Sequence, residues 1–510
     1  MRRKGLVAAA LLVPVVTISG TAWALRTQGS ARETAQEFLA AWERQDYAAM
    51  RALTVDPPGD FDAWYRRFRT DLKLSTAGFA VTGGQDEGTR IGFRASLRGA
   101  VTWAYDGALQ LVEHDRAWRV KWTPAAIHPR LETGTRLRAV RVKAEQAPVL
   151  AADGTRIDTA SAPGSVRQLV EGLRERYGSR LTGTSSARVE LVRGSERVAT
   201  LATSDARPGT RLRTTIDLRV HRAAADALET VRKPASLVAL RPSTGEILAV
   251  ANKPGGFNRA LLGHYPPGST FKVVTASALV AGGMTADERV SCPAEENIGG
   301  FPFHNAGFEE FGTIALREAF AHSCNTTFGR LSVNRLGGRR LAEVAGSFGF
   351  GGPVDPGVPS VRARFPDPKD DTDLASASIG QGRVLTSPLN MATVAAAVAD
   401  GSWRPPRLVD TALLPQAAPR KLEPAVVRAL RTLMPAVVSE GTAAGVPFPP
   451  GTAGKTGTAE YGGGEKPPTH AWFIGYRGDL AFSVIVEGGG TGAEAAAPIA
   501  ARFLTTLSRG

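Results

Sequence analysis

A serine and a lysine three positions apart open an apolar segment near the middle of the chain. Ser269 follows a Pro-Pro-Gly break, and Lys272 precedes an uncharged run that ends at Val280. This pattern predicts a buried helix that starts at Ser269, with the hydroxyl and the amine on one face. A serine becomes a nucleophile when a base takes its proton, and burial or a nearby cation turns a lysine into such a base. A helix cap followed by an ordinary lysine is nevertheless the more common meaning of this spacing.

Two further motifs follow this pair in a fixed order. They are Ser323-Cys324-Asn325, after a segment of helical character, and the extended stretch that starts at Lys455 as Lys-Thr-Gly-Thr. Ser-x-x-Lys, Ser-x-Asn and Lys-Thr-Gly in this order are the signature of penicillin-binding proteins and class A β-lactamases. Each motif alone is weak, whereas the ordered set is specific. Residues 235–510 therefore resemble the transpeptidase domain of a penicillin-binding protein.

The resemblance implies a role in acylation for the residues of the first two motifs. Ser269 would attack a peptide carbonyl and become an acyl-enzyme, with Lys272 as the base. Ser323 would relay the proton to the leaving amine. Asn325 would hold Lys272 and the amide group of the substrate.

The third motif would bind the substrate. Lys455 would add positive potential, and Thr456 and Thr458, on either side of Gly457, would bind the terminal carboxylate of a D-Ala-D-Ala stem peptide. The backbone N–H groups of Ser269 and Thr458 would form the oxyanion hole. The implied function is a peptidoglycan D,D-transpeptidase that β-lactams acylate and inhibit.

Other functions remain open beside this one. A serine β-lactamase or a D,D-carboxypeptidase shares the motifs, but the sequence after Asn325 contains no Glu-x-x-x-Asn segment to position a hydrolytic water. The nearest substitute, the acidic residues 367–373, does not have that pattern. A β-lactam-sensing receptor would need several membrane spans and an effector domain, which we do not find. A catalytically silent scaffold would have lost motif residues, and every motif is intact. The absence of a glycosyltransferase segment argues against a bifunctional enzyme.

The first residues of the chain predict export. Residues 1–4 are basic, and residues 6–25 are a run without charge that Arg26 closes. This pattern favours a single-pass anchor over residues 1–27, with a short cytoplasmic tip and the remainder on the cell-wall side of the membrane. A cleaved signal peptide is the alternative, because Ala22-Trp23-Ala24 has the small-x-small form of a cleavage site.

Charge, cysteine and histidine content narrow the function further. The net charge is +14, but no nucleic-acid-binding motif accompanies it. The seven histidines lack metal-ligand spacing, so neither a metal nor a cofactor is expected, and His322 and His470 beside the motifs are interpreted as structural. Export permits a disulfide between Cys292 and Cys324, but the place of Cys324 inside Ser-x-Asn argues against one.

The segment before the catalytic region combines two periodicities. Apolar residues recur at helical spacing from residue 31 and again around residues 47–53, which predicts two amphipathic helices. Between residues 90 and 122 they alternate with polar residues, as in half-buried strands. The predicted α+β domain, residues 28–130, resembles the cone-like nuclear-transport-factor-like domain of methicillin-resistance-type class B penicillin-binding proteins. The resemblance implies a spacer or contact module.

The rest of the chain completes a multidomain protein. Residues 131–234 are assigned to a small mixed linker or pedestal region, and residues 235–510 to an α/β, serine β-lactamase-like domain. A hairpin over residues 235–251 and strands over residues 470–487 are predicted from the sequence. The resemblance implies that they belong to a sheet flanked by helices, with Ser269 facing an edge strand. Helical segments with glycine-rich interruptions are predicted from Ser269 to about Leu341.

The partners implied by the resemblance all belong to cell-wall synthesis. They are peptidoglycan stem peptides or their lipid-linked precursor, β-lactam antibiotics, the membrane that holds the anchor, and a glycosyltransferase of the wall-synthesis machinery. Nucleic acid is not expected among them.

Overall fold

The computed structural model describes residues 29–83, 89–464 and 466–509. The predicted membrane anchor, residues 1–27, lies outside the described residues. Within the described part of the chain, no helix is both long enough and apolar enough to cross a bilayer.

Residues 31–213 form helices and strands, several of the strands following one another directly. The helices are α1 (Ala31–Arg44), α2 (Tyr47–Ala52), α3 (Phe61–Asp71) and α4 (Gly164–Thr182). The strands are β1 (Thr54–Val55), β2 (Thr76–Gly83), β3 (Arg90–Arg98), β4 (Trp103–His114), β5 (Ala117–Lys121), β6 (Thr135–Val142), β7 (Val149–Leu150), β8 (Ser186–Arg193), β9 (Glu196–Thr203) and β10 (Leu212–Arg213).

The remainder of the chain is richer in helix. The helices are α5 (Leu218–Glu229), α6 (Arg259–Leu262), α7 (Lys272–Ala281), α8 (Leu316–Ala321), α9 (Asn325–Leu331), α10 (Gly337–Ser347), α11 (Asp371–Ser378), α12 (Pro388–Asp400), α13 (Pro424–Ser439) and α14 (Ala497–Arg509). The strands are β11 (Ala235–Arg241), β12 (Glu246–Lys253), β13 (Arg289–Cys292), β14 (Glu295–Ile298), β15 (Phe301–His304), β16 (Gly312–Ala315), β17 (Ser402–Trp403), β18 (Arg420–Lys421), β19 (Ala453–Glu460), β20 (Thr469–Arg477) and β21 (Leu480–Val486).

The chain divides into two compact units. The first comprises residues up to 146 together with residues 182–209, and the second comprises residues 147–181 and 210–510. The region assigned to a linker or pedestal, residues 131–234, is therefore shared between the two units.

In the first unit, the predicted helices and sheet are confirmed. Helix α1 begins with a capping box in which Ser30 and Glu33 each accept the other's backbone N–H. Its apolar residues, such as Phe38 and Trp42, are buried in a core that also contains Phe93 of β3. The sheet has the order β1-β5-β4-β3-β2, and a second sheet, β6-β8-β9, adds residues to the same core.

In the second unit, a five-stranded sheet has the order β12-β11-β21-β20-β19 with every neighbouring pair antiparallel. Strands β11 and β21 are buried almost throughout, because helices α5, α12 and α14 pack on the sheet. Strand β19, which carries Lys-Thr-Gly, is an edge strand. The predicted α/β architecture is thus confirmed, and one edge of the sheet is available for a ligand.

Two details of the predicted secondary structure are wrong. Ser269 does not start the α-helix but lies in a 3₁₀ turn, Gly268–Phe271, and α7 begins at Lys272. The Ser269 hydroxyl does not cap the helix, because it lies beside the Lys272 amine. The interruptions expected in the helical stretch up to about Leu341 are not merely loops, because they form the short antiparallel pairs β13–β16 and β14–β15, which were not predicted.

Candidate functional site

The nucleophile and base predicted from the first motif lie side by side. Ser269 Oγ is 3.1 Å from Lys272 Nζ, and Lys272 is fully buried at the first turn of α7. Gly268 has φ +54°, and a Cβ at that position would approach the Thr458 carbonyl oxygen to 2.5 Å. Only glycine allows this approach, which presses the turn that carries Ser269 against β19.

The second motif surrounds the amine of Lys272. Nζ lies 2.6 Å from Ser323 O, 3.2 Å from Ser323 Oγ and 2.6 Å from Asn325 Oδ1. The Asn325 amide donates through Nδ2 to His304 O at 2.9 Å, which directs its oxygen towards the lysine. The carbonyl oxygen of Ser323 and Oδ1 of Asn325 can only accept hydrogen bonds, so the lysine must donate to both.

Those contacts leave Lys272 suited to accept a proton. A neutral amine has two N–H donors, which the two obligate acceptors occupy, and its lone pair is then free for the hydroxyl of Ser269 or Ser323. Burial lowers the pKa of Lys272 well below its ordinary value, and the charge of Lys455 lowers it further. Among the described residues no carboxylate is seen to act on the pKa of Lys272, so no counter-ion opposes this shift.

The third motif lies on β19. Lys455 is also fully buried, its Nζ lies 5.6 Å from the centre of the Phe320 ring, and burial lowers its pKa to about 7. Thr456 shares a 2.6 Å hydrogen bond between hydroxyl groups with Thr442, which follows α13. At Gly457 a Cβ would lie 2.8 Å from Thr270 Cγ2, so a side chain there would push the nucleophile turn away from the strand.

The three motifs converge on one cleft of about 710 Å³. Its wall includes Ser269, Ser323, Asn325, Thr456, Gly457 and Thr458. The two lysines do not form part of that wall; both side chains are buried, and Lys272 reaches the cleft through its contact with Ser269. All eight residues selected from the sequence therefore belong to one local structure.

The second motif contains a disulfide, contrary to the expectation from the sequence. Cys292, at the end of β13, is bonded to Cys324. The bond is compatible with the motif because neighbouring side chains diverge: Cys324 points to β13, whereas Ser323 and Asn325 contact Lys272. Ser323 adopts φ +64°, a left-handed conformation that allows the chain to turn sharply here.

Some residues of the site carried no signal in the sequence. Thr442 and His304 contact motif residues, but neither belongs to a recognisable motif.

The two histidines beside the motifs both stack on aromatic rings. His322 lines the cleft and stacks on Phe311, with 4.3 Å between ring centres. His470 is buried and stacks on Tyr461, and burial lowers its pKa.

Comparison with known proteins assigns the chain to a family. Residues 235–505 match the penicillin binding protein transpeptidase domain, and residues 30–135 match the NTF2-like N-terminal transpeptidase domain. The peptidoglycan D,D-transpeptidase PbpA of Mycolicibacterium smegmatis is 34% identical over 391 residues, which are 62% of this chain and 78% of the relative. PbpA of Mycobacterium tuberculosis is 32% identical over 407 residues, 66% of this chain and 81% of the relative.

A solved structure supports the same assignment. The penicillin G acyl-enzyme complex of penicillin-binding protein A from M. tuberculosis is similar with a TM-score of 0.57 and 25% sequence identity, over 72% of this chain and 100% of that one. The two matched family regions follow one another along this chain, with the NTF2-like domain first. The chain belongs to the penicillin-binding protein transpeptidase family, as a class B member with an NTF2-like N-terminal domain.

Proposed function

We propose that this chain is a peptidoglycan D,D-transpeptidase that cross-links stem peptides through an acyl-enzyme on Ser269. The observation that carries the proposal is the contact of Lys272 Nζ with Ser269 Oγ at 3.1 Å, inside a cleft that the other two motifs complete. Lys272 takes the hydroxyl proton while Oγ forms a bond to the carbonyl carbon of the penultimate D-Ala.

The leaving group of that first step is the terminal D-Ala. Its nitrogen takes up a proton as the peptide bond breaks, and Ser323, whose Oγ is 3.2 Å from Lys272 Nζ, relays that proton. The backbone N–H groups of Ser269 and Thr458 stabilise the negative oxygen of the tetrahedral intermediate. The close approach of Gly268 to the Thr458 carbonyl supports this role, because it holds the two backbones together.

The terminal carboxylate of the donor peptide binds at the third motif. Thr456 and Thr458 line the cleft and can donate their hydroxyl protons to it. Lys455 lies behind them with a pKa lowered to about 7, so an arriving carboxylate favours its protonated form. The Thr442 hydroxyl, 2.6 Å from Thr456 Oγ1, orients the first of these donors.

In the second step the amine of another stem peptide takes the acyl group from Ser269. A β-lactamase or D,D-carboxypeptidase would instead direct water to the ester, with a base beside it. The acidic segment after Asn325 that comes nearest in form to such a motif, residues 367–373, does not line the cleft, and its Asp373 pairs with Arg383 and accepts the backbone N–H of Lys369. This supports transfer to an amine rather than hydrolysis.

The proposal includes a location and a partner. Residues 1–27 anchor the chain by a single span, and the catalytic unit acts on the cell-wall side, where its peptidoglycan substrate lies. A glycosyltransferase supplies the glycan strands whose stem peptides this chain joins, because the three motifs serve acyl transfer, which needs glycan strands already made.

A reconstituted reaction tests the proposal. The full-length chain is incubated with lipid-linked precursor and a purified glycosyltransferase whose own transpeptidase activity has been removed, and the muropeptides are then analysed by mass spectrometry. We expect cross-linked dimers that disappear when penicillin is added first. Monomers that only lose D-Ala would identify a carboxypeptidase, and unchanged pentapeptides would contradict both activities.

A further inference from the structure

A buried asparagine that belongs to none of the three motifs joins the second motif to its surroundings. Asn305 follows β15 and is only 3% exposed. Its Oδ1 accepts the backbone N–H of Asn325 at 2.8 Å, and the backbone N–H and hydroxyl of Thr326 at 3.3 Å each. Its Nδ2 donates to Pro293 O and Glu309 O, both at 2.9 Å, and lies 3.3 Å from Cys292 Sγ.

The oxygen of Asn305 does for α9 what a helix cap normally does. The first backbone N–H groups of a helix have no partner within it, and the side chain of the preceding residue usually accepts one of them. The residue before α9 is Cys324, whose sulfur is engaged in the disulfide and makes no such bond. Asn305 supplies the missing acceptor from a distant part of the chain.

This cap fixes the residues that contact Lys272. Ser323 holds a left-handed backbone conformation that a serine does not favour, so the turn needs external restraint. Asn305 binds the main chain of Asn325, while the carbonyl of the neighbouring His304 binds the Asn325 side chain at 2.9 Å. The Oδ1 atom of Asn325 is thereby held 2.6 Å from Lys272 Nζ.

We propose that Asn305 is a positioning residue for acylation: its side-chain oxygen holds the main chain of Asn325 and Thr326, and through that turn Ser323, beside the base Lys272. The inference rests on the proposed function, because it concerns the same acyl-enzyme. The two ends of the Asn305 side chain have different roles. The oxygen accepts hydrogen bonds from the main chain that follows Ser323, and the nitrogen donates to the loop carbonyls of Pro293 and Glu309.

Two variants and a control separate positioning from stability. Asn305→Ala removes both functions, whereas Asn305→Asp keeps an oxygen acceptor for Asn325 and loses the donor. Asn252→Ala is the control: Asn252 also bonds on both sides, to Asn258 and to the Ala260 N–H, but lies on β12, at the sheet edge opposite β19.

The measurement is the limiting rate of acylation by a fluorescent penicillin, with the apparent dissociation constant obtained from the same saturation curves. It uses the full-length chain, with each variant at a pH on the plateau of its own profile because the carboxylate of Asn305→Asp raises the pKa of Lys272, together with each melting temperature. We expect Asn305→Ala to lower the limiting rate about 10- to 100-fold with the dissociation constant changed less than about threefold, a loss in the range of other positioning contacts. Asn305→Asp retains at least a third of the wild-type rate, and Asn252→Ala stays within about twofold.

Three results would overturn the inference. They are a wild-type rate in folded Asn305→Ala, a loss above tenfold in folded Asn305→Asp, and rates that fall in proportion to the melting temperature in all three variants. A loss above tenfold in folded Asn305→Asp would overturn the inference even if Asn305→Ala does not fold. Failure of the wild-type chain to label at all would instead contradict the proposed function.

Discussion

Ser269 and Lys272 are joined by a 3.1 Å contact between Oγ and Nζ at the junction of a 3₁₀ turn and a buried helix. The lysine is fully buried and has another buried lysine, Lys455, as its electrostatic neighbour. Both conditions disfavour an ammonium ion, so the arrangement turns a residue that is normally a cation into a base.

Acylation should therefore depend on pH through Lys272. As the pH falls through the lowered pKa of Lys272, the amine gains a proton and ceases to accept one from Ser269. We expect the acylation rate to rise with pH and to level off well below 10.5, the ordinary pKa of a lysine. Stopped-flow labelling from pH 5 to 10 measures this profile.

Lys272→Arg provides the comparison, because a guanidinium stays protonated throughout that range. We expect its acylation rate to fall at least about 1,000-fold, or about 4 kcal/mol in activation free energy. A variant that acylates at a near-wild-type rate would show that another group is the base.

Lys455 should make the stability of the protein depend on pH. Its pKa is lowered to about 7 in the folded protein, whereas an unfolded lysine titrates near 10.4. Between those values the unfolded state binds more protons, so the free energy of unfolding rises with pH.

The Lys455→Met variant isolates this contribution. We expect its unfolding free energy to rise less steeply between pH 7.5 and 9.5, by up to about 1.4 kcal/mol per pH unit, in urea titrations at each pH. Equal slopes in the two proteins would mean that Lys455 keeps an ordinary pKa in the fold.

The disulfide between Cys292 and Cys324 should stabilise the second unit. It closes a loop over a sequence separation of 32 residues, for which chain-entropy arguments give about 3 to 4 kcal/mol. We expect Cys292→Ser to lower the free energy of unfolding by about 2 to 4 kcal/mol in urea. A reducing agent should destabilise the wild type and leave the variant unchanged; equal sensitivity of both proteins would contradict this assignment.

The location of the catalytic unit can be tested in cells. Protease added to intact, wall-stripped cells should digest a chain whose residues 27–510 lie outside the membrane, while a cytoplasmic marker protein remains whole. We base this expectation on the uncharged run at residues 6–25 behind a basic tip. Full protection of the chain would contradict the topology.

Much of the site was predictable because its reactive residues belong to short local motifs. Ser269 and Lys272 are three residues apart, a spacing that brings the two side chains together in a 3₁₀ turn as well as in an α-helix, and the motif order then indicates the residues that must join them. The nearly continuous apolar runs of β20 and β21 likewise predict buried strands.

The contacts that hold the site together were not predictable in this way. Asn305 caps α9 from another part of the chain, and Thr442 meets Thr456 across two elements, so no local periodicity reveals either role. The bond between Cys292 and Cys324 depends on a left-handed residue, Ser323, that turns neighbouring side chains apart. Non-glycine residues seldom adopt that conformation, so it could not be predicted from the sequence.

The lifetime of the penicilloyl adduct on Ser269 distinguishes a transpeptidase from a β-lactamase. Purified full-length chain is acylated with penicillin, the free drug is removed, and intact mass is followed over time. Ser269→Ala should form no adduct, whereas Ser277→Ala, a change of another hydroxyl in α7, should label normally. We expect the adduct to persist for many minutes, since a deacylation barrier about 4 kcal/mol above that of a β-lactamase slows release about 1,000-fold. Release within seconds with steady consumption of the drug, or labelling that survives in Ser269→Ala, would contradict the account.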